Sequence, residues 1–275
     1  MNLDKEVSKM KSFLKLSSCI VLLVLLGILS EIVTSKMESF LLKKETDESV
    51  QETIFVTVPV SKVETEKKYA YLTFDDGPSK NTDKILDILK EKGVKATFFV
   101  VGKEGEQAKK RYQRIVEEGH SIGIHSYSHD YSYIYQSMEN YKSDILKLKQ
   151  YLEEVTGENI WLYRFPGGSS NSVSKIPIEE CIAFLNQEGI VYFDWNASSE
   201  DAVTVNADCN KLNNNILKDA LKYDHAVILM HDLYECNGTV DGLSILIDRL
   251  VEEGYEILPI TKDTKPVQHI KSTDS

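Results

Sequence analysis

The stretch YAYLTFDDGPSKNTDKILDILKEKGVKATFFVV (69–101) decides the predicted fold of this chain. Two short apolar runs, YAYLTF (69–74) and ATFFVV (96–101), have the length and composition of buried strands. Between them, TDKILDILKEKG (82–93) carries apolar residues at helical spacing and stops at a glycine. Apolar strands joined by a helix are typical of a parallel sheet that helices cover on both faces. The stretch therefore predicts an α/β fold.

The same alternation continues to the end of the chain. Further strand-like runs are SIGI (121–124), IWLYRF (160–165), IVYFDW (190–195), AVILM (226–230) and YEILPI (255–260). Helix-like runs lie at 107–119, 141–157, 178–189, 210–223 and 242–254. Seven strands fit either a small closed barrel or an open doubly wound sheet, and hydrophobic periodicity does not decide between these two architectures.

Composition excludes several classes of protein. The chain has 275 residues, of which 42% are hydrophobic, so most of it is expected to be globular. Its 32 basic and 43 acidic residues give a formal net charge of −11, which argues against a nucleic-acid partner. Four cysteines are too few for a disulfide scaffold, and the spacing of Cys181, Cys209 and Cys236 matches no zinc site.

The N-terminus carries an uncharged apolar run, CIVLLVLLGIL (19–29), after Lys5, Lys9, Lys11 and Lys15. Lysines before such a run favour a cytoplasmic N-terminus and export of the rest of the chain. The run is short for a membrane span and suits a signal peptide. An uncleaved membrane anchor, a signal peptide cleaved after Ser35 and a buried core helix all remain open. The first two predict a location at the extracytoplasmic face of the membrane or in the cell wall, anchored or secreted.

These patterns divide the chain into four parts. Residues 1–35 are the signal peptide or anchor, and residues 36–68 form a polar stalk in which 54–60 could add a short strand. Residues 69–265 form the folded domain, and residues 266–275 form a polar tail.

Polar residues follow the predicted strands at the point where each ends. In parallel α/β folds, ligand sites form beyond the carboxyl ends of the strands, so these residues are expected to meet at one rim. They are Asp75 and Asp76 after the first strand, His125 and His129 after the third, Arg164 at the fourth, Asp194 at the fifth and His231 after the sixth.

Each group has a chemical and a structural interpretation. Asp75 and Asp76 can reach one site only if the chain leaves the strand there, and Gly77 with Pro78 supplies that turn. One carboxylate could then bind a cation while the other holds a proton; alternatively, the pair forms an Asx turn. In HSYSH (125–129), a helical turn would place both histidines on one face, as in metal sites, although solvated histidines are the common alternative.

The remaining motifs are weaker. RFPGG (164–168) offers an arginine that could hold a carboxylate and backbone amides that could approach a developing negative charge, or it is simply a surface loop. His231 could be a general acid if a carboxylate keeps it protonated. Asp194 could supply that carboxylate or simply end a strand, and Asp232 and Glu235 are rivals for the same role.

Together these motifs resemble a known family. TFDDGP (73–78), HSYSH, RFPGG, FDW (193–195) and ILMH (228–231) have the order and rough spacing found in polysaccharide deacetylases. These are carbohydrate esterases with a chitooligosaccharide-deacetylase homology domain. The resemblance covers residues 69–262. It implies a distorted (β/α)7 barrel of parallel strands, here preceded by an N-terminal hydrophobic helix and a stalk.

The resemblance also implies roles for individual residues. Asp76, His125 and His129 would bind a divalent metal, Zn²⁺ or Co²⁺, which activates a water molecule. Asp75 would be the general base and Arg164 would orient it. His231 would be the general acid and Asp194 would keep it charged. The amide of Gly167 would stabilise the oxyanion, while Trp195 and Leu229 would wall the pocket for the acetyl methyl group.

The implied function is metal-dependent removal of N-acetyl groups from a cell-wall polysaccharide, with release of acetate. Peptidoglycan N-acetylglucosamine is the first expected substrate, followed by N-acetylmuramic acid and by chitin-like oligomers. Two other functions remain open: an O-acetyl esterase that acts on a polysaccharide such as xylan, and a catalytically silent wall-binding domain.

Overall fold

The computed structural model describes residues 67–203 and 207–271. The predicted signal or anchor segment and nearly all of the predicted stalk, including the strand at 54–60, lie outside the described residues. Within the described part of the chain, no helix is long and apolar enough to cross a membrane.

Eight strands form one sheet, and every strand pair in it is parallel. They are β1 (Lys68–Asp75), β2 (Thr97–Val101), β3 (Ser121–Ser126), β4 (Leu162–Tyr163), β5 (Val191–Tyr192), β6 (Ala197–Ser198), β7 (His225–His231) and β8 (Tyr255–Ile257). All seven predicted strands are confirmed, although β4 and β5 are shorter than their apolar runs. The two-residue strand β6 was not predicted, because it is too short to show a pattern.

The strand order is β5-β4-β3-β2-β1-β7-β6, and β8 pairs with the beginning of β1. β1 is therefore central, with Asp75 opposite His231 of β7 and opposite Phe99 of β2. The sheet curls into a half-barrel whose end strands, β5 and β6, are consecutive in the chain. This arrangement confirms the distorted (β/α)7 barrel and excludes the open doubly wound sheet.

Seven helices accompany the strands in the described residues. They are α1 (Lys80–Lys92), α2 (Glu106–Glu117), α3 (Tyr131–Ile134), α4 (Met138–Thr156), α5 (Ile178–Gln187), α6 (Cys209–Ala220) and α7 (Asn237–Glu252). Only the single turn α3 was not predicted. The flanking residues of α1 explain its bounds: Ser79 and Thr82 form a capping box, and Gly93 adopts a left-handed conformation with φ of 67°.

Side chains alternate between the two faces of β1, so they contribute to two apolar layers, and Asp75 lies on the inner face. Ala70, Leu72 and Phe74 face the helices and are fully buried there. Tyr71 faces the inside of the curl, where it joins the second cluster with Phe99, Leu162, Phe193 and Val227. Burying such a side chain contributes about 1.5–3 kcal/mol. Because side chains alternate, Thr73 and Asp75 share the inner face with Tyr71.

The cysteines of the described residues, Cys181, Cys209 and Cys236, are free thiols. No disulfide among them supports the fold, so its stability rests on the two apolar layers and the parallel hydrogen-bond ladder.

Candidate active site

The two aspartates occupy different conformations at the end of β1. Asp75 is the last residue of the strand, whereas Asp76 has a left-handed backbone with φ of 71°. The chain then turns at Gly77, where an added Cβ would lie 2.4 Å from Oδ2 of Asp232. The predicted departure from the strand is therefore observed, and it lets both neighbouring carboxylates reach the same rim.

Asp76, His125 and His129 form a compact cluster. Oδ1 of Asp76 lies 3.1 Å from Nε2 of His129 and 3.5 Å from Nε2 of His125. One candidate ligand atom from each residue lies within 4.8 Å of the other two. Two imidazoles and one carboxylate are a common donor set for a transition metal with open positions.

The chemistry of these three side chains fits a cation. Oδ1 of Asp76 is buried and accepts no hydrogen bond from the described residues, so a positive partner would satisfy it. Nδ1 of His125 lies 2.8 Å from the carbonyl oxygen of Arg164, which assigns the ring proton to Nδ1 and leaves Nε2 as a ligand atom. Burial and the neighbouring His125 lower the pKa of His129, which keeps its ring in the neutral, metal-binding form.

The two histidines lie close together, but they are not on the helical turn expected from their spacing. His125 belongs to β3, and His129 lies in the next turn with φ of 51°. The buried carboxylate of Asp144, from α4, holds this turn: it accepts hydrogen bonds from Oγ of Ser126 and the amides of Tyr127 and Ser128, at 2.7–2.9 Å. The two histidines therefore do not need a helical turn to come together, because Asp144 on the neighbouring helix α4 fixes the turn that carries His129.

Arg164 is fully buried on the inner face of the curl. Its Nη1 donates to Oδ1 of Asp75 at 2.9 Å and to Oγ1 of Thr73 at 2.6 Å. Its other nitrogens donate to the carbonyl oxygens of Phe193 and Asp194. The guanidinium therefore fixes one oxygen of Asp75, as predicted from sequence, and leaves Oδ2 directed toward Nε2 of His125, 3.9 Å away.

His231 has a carboxylate partner, but it is Asp201. Nδ1 of His231 lies 2.7 Å from Oδ1 of Asp201, and the amide of His231 donates to Oδ2 at 2.9 Å. Burial alone would lower the pKa of His231, but the hydrogen bond and charge of Asp201 outweigh it and raise the pKa to about 9. His231 is therefore protonated at neutral pH, as a general acid must be.

The assignment of Asp194 beside His231 was wrong. The carboxylate of Asp194 accepts hydrogen bonds from the amide and hydroxyl of Ser169 and from the amide of His269, at 2.6–2.8 Å. The sheet order explains the error, because β6 and not β5 is the neighbour of β7. Asp194 comes after β5, whereas Asp201 comes after β6, the strand that pairs with β7.

Asp232 and Glu235, the rival candidates for the partner of His231, lie elsewhere. Asp232 is fully buried and accepts hydrogen bonds from Ser79 and Thr82 at the start of α1, whereas Glu235 is exposed. Asp201 was missed because β6 shows no sequence pattern, so the residues after it were not considered as a strand end.

The predicted pocket residues lie around the same rim. Gly167 has φ of 78°, and a Cβ placed on it would lie 3.3 Å from the ring of Tyr131, which in turn packs on His129. Trp195 lies with its ring centroid 5.8 Å from the guanidinium carbon of Arg164. Leu229 is buried in β7, opposite Thr73.

The site therefore combines a carboxylate held by a buried arginine, a three-residue metal cluster and a protonated histidine held by an acid. This combination has the chemical groups of a hydrolase site, together with three side chains that could hold a metal ion.

Comparison with known proteins agrees with this class. Residues 62–179 match the family model described as polysaccharide deacetylase. A peptidoglycan-N-acetylglucosamine deacetylase of Bacillus cereus is 32% identical over 195 residues, which are 70% of this chain and 68% of that protein. A peptidoglycan-N-acetylglucosamine deacetylase of Listeria monocytogenes is 36% identical over 74% of this chain and 41% of its own length.

A solved structure is similar as well. The catalytic domain of a peptidoglycan N-acetylglucosamine deacetylase from Eubacterium rectale superposes with a TM-score of 0.70 and 33% identity. The match covers 76% of this chain and 95% of that domain. The chain belongs to the polysaccharide deacetylase family.

Proposed function

We propose that this protein removes the N-acetyl group from N-acetylglucosamine units of peptidoglycan, releasing acetate and leaving a free amine on the polymer. The observation that carries the proposal is the meeting of Asp75, the metal cluster and the protonated His231 at one rim. Relatives named as peptidoglycan deacetylases support the choice of polymer.

Asp76, His125 and His129 would hold the metal, and we propose Zn²⁺ because two imidazoles and a carboxylate suit it. Co²⁺ or another divalent cation could occupy the same donors. The chemistry that a divalent cation supplies in such a site is Lewis acidity, which polarises a carbonyl group and acidifies a water molecule. Elemental analysis of protein purified without chelator identifies the metal.

Asp75 is the proposed general base. Arg164 holds its Oδ1, and Oδ2 takes the proton from the attacking water as the new carbon–oxygen bond forms. The buried guanidinium fixes the orientation of this carboxylate through that hydrogen bond. The amide N–H of Gly167 is the proposed donor to the developing oxyanion, an interaction worth about 3–4 kcal/mol in hydrolases of this type.

His231 is the proposed general acid. Its Nδ1–H is held by Asp201, so the proton on Nε2 is available to the leaving nitrogen. As the carbon–nitrogen bond breaks, this proton converts the departing nitrogen into an amine, while the acetyl group leaves as acetate. The reaction consumes one water molecule per acetyl group.

The proposal is tested by incubating the Zn²⁺-loaded protein with N-acetylated peptidoglycan and measuring acetate. Digestion of the treated polymer and mass spectrometry then locate the free amines on N-acetylglucosamine or on N-acetylmuramic acid. Parallel reactions with chitin oligomers and acetylated xylan test the other substrates. Acetate from xylan alone would establish an esterase, and polymer binding without any acetate release would establish a silent domain.

We further propose that the apolar run at 19–29 directs export of the domain. The domain then either stays anchored at the outer face of the membrane or is released by cleavage of the run. The preceding lysines and the location of wall polymers outside the membrane support this location. Cell fractionation with N-terminal sequencing of the mature protein distinguishes an intact anchor from cleavage near Ser35. Recovery of the whole chain in the cytoplasm would contradict export.

A further inference from the structure

The segment after β8 crosses the end of β5 and binds the two chain segments that wall the site. The amide of Asp194 donates to the carbonyl of Val267 at 2.7 Å, and the amide of Ile270 donates to Oγ of Ser169 at 3.0 Å. The hydroxyl of Tyr192 donates to the carbonyl of Ile270. Residues 267–270, predicted from sequence as part of a polar tail, are thus fixed to the domain.

The carboxylate of Asp194 is the centre of these contacts. It is fully buried, and its hydrogen bonds come from Ser169 in the Pro-Gly-Gly loop and from the amide of His269. A buried carboxylate without partners would be costly, so these donors favour one geometry for all three segments. The backbone carbonyl of Asp194 also accepts from Arg164, which connects the same network to Asp75.

His269 holds Trp195 in place on one side. Nε2 of His269 lies 2.8 Å from the carbonyl oxygen of Trp195, and the two ring centroids are 5.0 Å apart in an edge-to-face arrangement. Oγ of Ser170 lies 3.1 Å from Nδ1 of His269 and can donate to it, so both ring nitrogens are engaged. On the other side, a Cβ placed on Gly168 would lie 2.9 Å from the indole. The indole is therefore confined between the Pro-Gly-Gly loop and His269.

We propose that residues 267–270 complete the acyl pocket by fixing the indole of Trp195, with His269 as a positioning residue that sets the preference for acetyl over longer acyl groups. This inference rests on the proposed function and on the role that the family resemblance implies for Trp195, which is to wall the pocket for the acetyl methyl group.

A fluorescence experiment tests the positioning without any substrate. The chain has two tryptophans, so Trp161→Phe leaves Trp195 as the single reporter. In the full-length, Zn²⁺-loaded protein, we expect His269→Ala to raise the acrylamide quenching constant of Trp195. We expect His269→Gln to restore the lower value, because its amide can donate to the same carbonyl. His225→Ala is the control, since His225 is exposed at the other end of β7 and packs on Tyr69.

An activity experiment tests the preference. One methylene is worth roughly 10–200-fold in a fitted apolar pocket, so we expect His269→Ala to lose about tenfold of the ratio of N-acetyl to N-propionyl glucosamine oligomer turnover. His269→Gln should regain most of it, and the melting temperature reports any general destabilisation separately.

An unchanged quenching constant in His269→Ala, or an unchanged acyl preference in that variant while it is active, overturns the inference. Absence of acetate release by the wild-type protein would instead overturn the proposed function, and the quenching result would still decide the role of His269.

Discussion

At the scale of single residues, Arg164 connects several groups of the site through hydrogen bonds. A fully buried guanidinium is costly unless its N–H groups find acceptors, and here Thr73, Asp75 and two backbone carbonyls accept from four of its five N–H groups. The carbonyl oxygen of the same residue fixes Nδ1 of His125. One residue thus orients both the proposed base and a metal ligand.

The division of roles between the two aspartates predicts the behaviour of Asp75→Asn. Asparagine cannot take the proton from water, so kcat/KM for acetate release should fall about 10²–10⁴-fold, the usual contribution of a general base. Because Asp76, His125 and His129 remain, zinc content by elemental analysis should equal that of the wild-type protein. Loss of the metal in this variant would show that Asp75 is itself a ligand.

The pair His231–Asp201 predicts a pH effect. In the wild-type protein the acid is protonated up to its pKa of about 9, so activity should decline only as pH rises through that value. Asp201→Asn keeps a hydrogen-bond acceptor but removes the charge, and burial then lowers the pKa of His231. The alkaline limb of the kcat/KM profile should therefore move to lower pH.

A matched control for this experiment is Asp232→Asn, which alters the neighbouring acid but not the partner of His231. An alkaline limb that stays in place in Asp201→Asn would contradict the assignment of His231 as the acid held by Asp201.

At the scale of elements, α4 controls the turn between β3 and α3 through Asp144. Asp144→Ala would leave the donors on Ser126, Tyr127 and Ser128 without their acceptor, so His129 would lose its fixed position. Zinc affinity should fall about 10–100-fold, as is usual when residues that orient metal ligands are removed. Competition with a chromophoric chelator measures this change.

Two further variants serve as controls for Asp144→Ala. Ser143→Ala changes the exposed neighbour of Asp144 on the same helix and should leave zinc affinity unchanged. His129→Ala removes a ligand and should lower zinc affinity and activity together. Wild-type affinity in Asp144→Ala would mean that the turn holds His129 without help from α4.

The elements also show how much of the site could be predicted from the sequence. Six of the seven rim residues were placed by a simple rule, because apolar strands have recognisable ends: Asp75, Asp76, His125, His129, Arg164 and His231. The turn that presents His129 could not be predicted, because it depends on Asp144, a residue of the later helix α4. Asp201 comes after a strand of only two residues, and no local pattern reveals such a strand or its neighbours in the sheet.

At the scale of the whole molecule, the alternation of strands and helices was sufficient to predict a parallel α/β fold but not its closure. Curling depends on pairings such as β1 with β7 and β1 with β8, which join distant parts of the chain. Apolar periodicity reports burial and not strand neighbours, so the barrel was implied only by the resemblance to a family.

At the scale of the whole molecule, we also predict the effect of removing the metal. A strong chelator should abolish acetate release, and Zn²⁺ should restore it, because Asp76, His125 and His129 form one cluster of possible metal ligands. Zinc binding to the folded state should also raise the melting temperature in proportion to the logarithm of free zinc. Full turnover of chelated protein, verified as metal-free by elemental analysis, would contradict the metal mechanism.

The central position of β1 determines when the sheet and the site can be completed as the chain is made. The ribosome makes β1 first among the described strands, yet its partner β7 is made almost at the end of the domain. A chain that stops before residue 225 leaves the β7 edge of β1 unpaired, and an unpaired strand edge can pair with other chains. Asp201 emerges before His231, so the acid pair is also completed late. The site is therefore complete only once β7 has joined the sheet, because His231 is the last of these site residues in the chain.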